Sequence, residues 1–141
     1  MIEIKHSNTL LDSPVYKYYT QGITEKIEYY VSIGHSQQLS ESLQAHEEDI
    51  SGIIWAEIDS IPKGFISYSL REVDKHVMII NLMQADSEEV FKKIYDYFED
   101  FSRELDCIYI NETVTMKDVN RVNELESVGF NKEFFIMFKK V

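Results

Sequence analysis

Residues 76–101 read HVMIINLMQADSEEVFKKIYDYFEDF, and the rest of the chain is organised around this stretch. Residues 77–83 form an almost unbroken apolar run, the pattern of a strand covered on both faces. After a very short turn, Val90, Phe91, Ile94, Tyr95, Phe98, Phe101 and Leu105 recur at helical spacing. Lys92, Lys93, Asp96, Glu99, Asp100 and Arg103 fall mostly on the other side, so the helix is strongly amphipathic. Residues 107–110 (CIYI) read as the next strand. A strand, a helix and a strand in succession predict a parallel crossover.

The turn between strand and helix, residues 84–89 (QADSEE), holds no glycine and three acids. Such turns bind phosphate where glycine lets backbone amides approach and the helix amino terminus adds partial positive charge. Here Asp86 or Ser87 suits the helix N-cap, and Glu88 and Glu89 complement the helix dipole. Lys92 and Lys93 come only a turn later, on what reads as a solvated face.

Working outward, residues 53–58 (IIWAEI) and 65–70 (FISYSL) read as strands, and residues 59–64 (DSIPKG) supply turn chemistry. Together they predict an antiparallel hairpin. Ile2 and Ile4 alternate with Glu3 and Lys5, as in a short half-buried first strand. Ser13-Pro14 has the form of a helix start, with Val15, Tyr18 and Tyr19 and then Ile23, Ile27, Tyr30 and Val31 as the apolar stripe. Gly22 is expected to interrupt that helix. Leu39 and Leu43 mark a short surface helix before an acidic loop at residues 47–49. Thr115-x-x-Asp118 has the form of a capping box. It opens a helix carrying Val119, Val122, Leu125 and Val128, with Gly129 at its end. Residues 134–138 read as a final strand. No repeat or linker divides the chain, and 141 residues suit one domain over 1–141. The expected fold class is α/β, a mixed sheet with helices on both faces.

Twenty-five acidic against fourteen basic residues give a formal charge of −11, a surface that repels nucleic acid and anionic membranes. No apolar run approaches the roughly 20 residues of a membrane helix. The first residues, MIEIKH, lack the basic-then-apolar order of a signal peptide, and Cys107 is alone, so a cytoplasmic protein without disulfides is expected. Cys107 reads as a small buried hydrophobe. His35, His46 and Glu47 have no recognised metal spacing, so no metal is expected. Tyr16, Tyr18, Tyr19, Tyr29 and Tyr30 suit a core and its rim, a cleft floor or a homodimer face.

The order of elements and three local patterns resemble the GNAT-type N-acetyltransferase superfamily. The patterns are the hairpin at residues 55–68, the strand and helix at residues 77–105, and NELESVGF at residues 123–130, similar to that family's late helix ending in Gly-Phe. The resemblance implies an acyl-CoA N-acyltransferase (GNAT) fold, with acetyl-CoA in the cleft where the central strand parts from its parallel neighbour. Backbone around Leu82, Met83 and Gln84 would face the pantetheine arm, and Ser87 falls near the last glycine of the family's diphosphate loop. Glu57, Asp74, His76 and Asn81 are candidate bases for an amine acceptor, with Glu57 the residue chosen as catalytic. An acidic surface suits a small-molecule amine or a basic protein group as that acceptor.

The chain departs from the pattern twice. The segment before Ser87 is several residues shorter than the usual loop and has no Gly, Arg or Lys. Like charges about 4 Å apart repel by roughly 4 kcal/mol at a surface-like dielectric, so Asp86, Glu88 and Glu89 oppose a diphosphate. Many relatives also carry a tyrosine five residues before the Gly-Phe phenylalanine, to protonate the leaving thiolate. That position is Leu125, which has no proton to give. Tyr109 or a water could substitute for it. Two functions are therefore expected: an N-acetyltransferase with an atypical cofactor loop, or a catalytically inactive GNAT-fold binding or regulatory module.

Overall fold

The computed structural model describes residues 1–72 and 76–132. β1 (Ile2–Ser7) leads to α1 (Tyr16–Ser32), α2 (Gln37–Ser42) and a single 3-10 turn (Glu47–Asp49). There follow β2 (Gly52–Ile58), β3 (Ile61–Glu72), β4 (His76–Ala85), α3 (Glu88–Glu104), β5 (Cys107–Asn111) and α4 (Val119–Ser127). The strands lie in sequence order across one sheet. Pairing is antiparallel from β1 to β4 and parallel between β4 and β5, so the sheet is mixed as expected. The final strand expected at residues 134–138 lies outside the described residues.

Strand alternation divides the side chains between two cores. On one face Ile54, Ala56, Ile66, Tyr68, Met78 and Ile80 pack against Val90, Ile94, Tyr95 and Phe98 of α3. On the other, Ile53, Trp55, Phe65 and Leu82 pack against Val15 and Tyr19. The apolar stripe read from α3 is therefore the stripe that is buried, and each such side chain contributes about 1.5–3 kcal/mol by leaving water. Ser87 caps α3, its Oγ accepting from the Val90 amide at 3.2 Å.

Four local readings need correction. Gly22 does not interrupt α1. A Cβ there would stand 2.6 Å from Gln84 Nε2 and 2.9 Å from Leu82 Cδ2, so glycine marks the closest approach of α1 to β4. Ser13 is not the cap of α1; Val15 holds that position without a side-chain bond, and Ser13 sits in the preceding turn, its carbonyl accepting from the Tyr16 amide. Asp118, not Thr115, caps α4, accepting from the Arg121 amide at 3.2 Å. The hairpin turn is two residues long, Asp59-Ser60, both at positive φ (51° and 65°), the backbone that two-residue hairpins favour. Pro62 and Gly64 then belong to β3, where the register passes over Lys63 beside Ala56 and Glu57, and a bulge is where proline is tolerated inside a sheet. Gly129 does end α4: at φ 97° it lets its own amide and that of Phe130 reach the carbonyls of Glu126 and Leu125.

Two irregularities of β4 shape everything around its carboxyl end. Ser67 pairs with Leu82 and Tyr68 with Ile80, so Asn81 is an extra residue in β4, a bulge. The bulge reverses the alternation: Met78 and Ile80 face α3, whereas Leu82 and Gln84 meet Gly22 of α1. Pairing with β5 also stops at Ile79 and Asn111, so residues 80–85 of β4 have no strand partner on that side among the described residues.

His6 ties β1 to the α3 face. Its Nε2 meets the Tyr68 hydroxyl at 2.5 Å and its Nδ1 the Tyr97 hydroxyl at 3.2 Å, with the edge of Phe101 beside the ring. Burial holds its pKa below 6.5, so the neutral ring is the folded form. Unfolding releases a histidine that takes up a proton more readily. This contribution to stability is therefore complete above pH 6.5 and is lost as pH falls toward the lowered folded value. Urea unfolding across that interval should show a falling midpoint, and His6→Gln should flatten the dependence. Phe98→Ala, at a fully buried ring, should cost about 3–5 kcal/mol in the same assay.

Candidate active-site cleft

Where β4 leaves β5, a cavity of about 800 Å³ opens. Met83, Gln84 and Ala85 form one wall, the first turn of α3 another, and α4 a third; Glu25 and Tyr29 of α1 close the far side. The cavity exists because the free edge of β4 has helices beside it and no strand against it.

Its charge is uneven. Glu25, Asp86, Glu88, Asp118 and Glu124 line it against Lys92 and Arg121. Arg121 is already committed: its guanidinium grips Glu112 in a bidentate pair, with Nε to Oε2 at 2.6 Å. The pair is buried, at 14% and 6% side-chain exposure, and ties α4 to the segment after β5. Lys92 has no carboxylate partner among the described residues and is exposed.

Behind the α1 wall, Lys26 turns toward the sheet. Its Nζ donates to the carbonyl of Asn81, the bulge residue, at 3.4 Å, and lies 5.7 Å from the centre of the Tyr30 ring. Burial lowers its pKa; Glu112 and Asp118 oppose that shift, and Arg121 adds to it. Burial, reinforced by Asp118 and Glu112, pushes Tyr30 up to about 12. Tyr29 sits on the cavity wall, its hydroxyl 3.4 Å from Asp118 Oδ1 and able to donate to it.

The residues anticipated from sequence are not all here. Met83 and Gln84 are on the wall, and Ser87 is there too, spending its hydroxyl on the helix cap. Leu82 is buried beneath α1, so only its backbone is available to the edge. Glu57 does not line the cavity. It lies in β2, 7% exposed, where its carboxylate accepts from the Trp55 indole N–H at 2.6 Å and pairs with Lys5 at 3.3 Å. The Trp55 bond, with help from Lys5, holds its pKa below the usual carboxylate value, which makes it a weaker base. His76 is tied at the opposite end of β4, its Nδ1 donating to the Leu105 carbonyl at 2.7 Å. Asn81 is the bulge residue and is not on the cavity wall; its side-chain amide donates to the Ser69 hydroxyl at 2.8 Å. Asp74 lies outside the described residues. Leu125 is buried in the core, and Tyr109 is 65% exposed beside a different hollow.

Lys26, Tyr29, Glu112 and Arg121 were not anticipated. For Lys26 a signal existed: it follows Tyr19, Gly22 and Ile23 and precedes Tyr30 at helical spacing, a charge on the buried stripe of α1. Glu112 and Arg121 carried none, because their partnership depends on the chain folding back after β5.

No family model matches the sequence, and no curated protein matches it. Solved structures do. An aminoglycoside N-acetyltransferase, AAC(6')-Iy, in complex with CoA superposes with a TM-score of 0.66 at 13% identity, over 100% of this chain and 95% of that one. The ribosomal-protein-alanine N-acetyltransferase of Brucella melitensis biovar Abortus 2308 gives 0.65 at 11% identity, over 100% and 99%. An aminoglycoside acetyltransferase, meta-AAC0020, from an uncultured soil metagenomic sample in complex with sisomicin gives 0.64 at 12%, over 99% and 95%. The chain has the GNAT N-acetyltransferase fold. Within that fold, β4 and β5 part after Ile79 and Asn111, and the cavity opens at that parting. Among the described residues, no helix is long and apolar enough to cross a membrane.

The ion pair on the α4 side gives a direct test of the cleft's construction. Glu112→Gln leaves Arg121 buried without its counter-charge and should cost about 3–5 kcal/mol in urea unfolding. Replacing both residues together, Glu112→Leu with Arg121→Met, should recover much of that loss.

Proposed function

We propose that the protein is an acyl-CoA-dependent N-acyltransferase acting on an amine. The observation that carries this reading is the free edge of β4, residues 80–85, bordering a cavity of about 800 Å³ at a bulge. An extended thiol arm can lie along such an edge and bond to strand backbone, much as an added strand does. Backbone of Leu82, Met83 and Gln84 would hold it.

The residues present fit that arm better than the nucleotide diphosphate. At the start of α3 the Val90 amide is taken by Ser87, and Asp86 and Glu88 stand on the cavity wall. Lys92 is the cation there that could meet an anion. These features support the reading of an atypical cofactor loop that would hold the nucleotide portion weakly.

A bound thioester supplies an activated acyl carbon. The chain's own part is to gather and orient the amine. Glu25, Asp118 and Glu124 attract a cationic small molecule or a basic protein side chain. The amine must lose a proton before it attacks. With Glu57 engaged by Trp55 and Lys5, a water held against the acidic wall is the better acceptor of that proton. Tyr29, not Tyr109, offers the cavity a phenol for the leaving thiolate.

A second reading, a GNAT-fold binding module without catalysis, is favoured by the acidic start of α3 and by the burial of Leu125. Calorimetric titration with acetyl-CoA, alongside thermal unfolding, separates the two. Native-state binding should add about 2.7 kcal/mol of stability at a hundredfold excess over Kd. Heat and a raised Tm support the transferase; neither signal at millimolar cofactor sinks it and leaves the binding module.

A further inference from the structure

We propose that Lys26 is itself an acyl acceptor, so that the cleft modifies its own α1 lysine when a thioester is bound. This inference rests on the transferase reading for its acyl donor and goes beyond it in naming an acceptor within the chain.

The placement of Lys26 is unusual for a lysine. It stands on α1 between Glu25 and Tyr29, both on the cavity wall, yet turns inward to the sheet. Its Nζ reaches the carbonyl of Asn81, just past Ile79, the last β4 residue paired with β5. An arm entering along β4 from the start of α3 meets this point at its inner end. Lys26 is not itself on the cavity wall, so on this proposal the arm runs past Leu82 to the point of parting and brings its terminal acyl group to the Lys26 nitrogen there.

The surroundings of that nitrogen are those a bound ammonium needs: a backbone carbonyl, the Tyr30 ring, and the nearby carboxylates of Glu112 and Asp118. Arg121 contributes the opposing charge, and Glu112 is shared between the two cations. The environment for an amine at the inner end of the cleft is thus filled from within. Burial also lowers the Lys26 pKa, which enlarges the fraction of the neutral, nucleophilic amine.

The chemistry balances without a further reagent. Lys26 loses one proton to solvent, and its nitrogen lone pair attacks the thioester carbonyl. As the C–N bond forms and the C–S bond breaks, the nitrogen gives up a second proton, which the departing thiolate takes. The products are an Nζ-acyl lysine and a free thiol. The Lys26 charge is removed, and Glu112 and Asp118 are left facing Arg121 alone.

The test is peptide mapping by mass spectrometry of the wild-type protein, so no variant need fold. One sample is incubated with S-acetyl-N-acetylcysteamine, a thioester without a nucleotide, and a second with acetyl-CoA. Lys26 should acquire an acetyl group several-fold faster than Lys17 and Lys92, both exposed, and should lose that advantage in urea. Lys26→Arg, which keeps the cation, should remove the modification while circular dichroism stays native. Labelling of Lys26 no faster than that of Lys17 in the native protein overturns the proposal. Calorimetric binding of acetyl-CoA with Lys26 unlabelled overturns it and leaves the transferase reading intact. Labelling by the small thioester with no binding of acetyl-CoA upholds Lys26 and overturns the CoA reading.

Discussion

The structure depends on one constraint: β4 must satisfy β3 along its whole length and β5 along only part of it. Its backbone bonds to β3 run from His76 to Ala85, whereas those to β5 end at Ile79. Backbone donors and acceptors in an edge strand need partners or solvent. The chain meets this need by leaving the outer edge open to a cavity and setting Lys26 against the carbonyl at the point of parting. The Asn81 bulge belongs to the same solution. By adding one residue it turns Leu82 and Gln84 toward α1, while Met78 and Ile80 stay with α3, so one strand serves both cores.

The close approach of α1 follows from that reversal. Gly22 lets the helix come down onto Leu82 and Gln84, and this brings Tyr29 to the cavity wall and Lys26 to the Asn81 carbonyl. A larger residue at position 22 would meet Gln84 and Leu82 inside van der Waals contact, and the inner end of the cleft would change with it. The glycine that looks like a helix breaker in sequence is thus a spacer in three dimensions. Helix propensity costs about 1 kcal/mol for glycine, and packing of an apolar face easily exceeds that.

Charge separates the cleft from an ordinary anion site. The amino terminus of α3 carries the partial positive charge that favours phosphate, but acids stand on it and Ser87 takes one of its amides. On the facing helix, Arg121 is neutralised by Glu112 in a buried bidentate pair. Two charges taken out of water this way are worth more for the geometry they fix than for net stability. The pair positions α4, and the carboxylates left over make the cavity wall acidic.

Much of the fold was legible in the sequence. The apolar run of β4, the stripe of α3 and the glycine stop of α4 are local patterns, and local sterics and hydrophobic burial enforce them wherever they occur. The two-faced mixed sheet followed from their order, and so did the acidic, glycine-free turn. Errors fell where a local signal met tertiary contact: Gly22 as a break, Ser13 and Thr115 as caps, a long turn before Phe65. Of the residues named from sequence, Met83, Gln84 and Ser87 line the cavity, because they lie on the free end of β4 and the turn that follows it. Glu57 was misplaced because a strand's period gives the face of a residue but not its partners, and Trp55 and Lys5 claim its carboxylate. Glu112 and Arg121 were decided by tertiary structure alone, and Lys26 showed in sequence only as a charge on the apolar stripe of α1. Residues 112 and 121 meet because the chain folds back after β5, and that return sets them near Lys26 of α1.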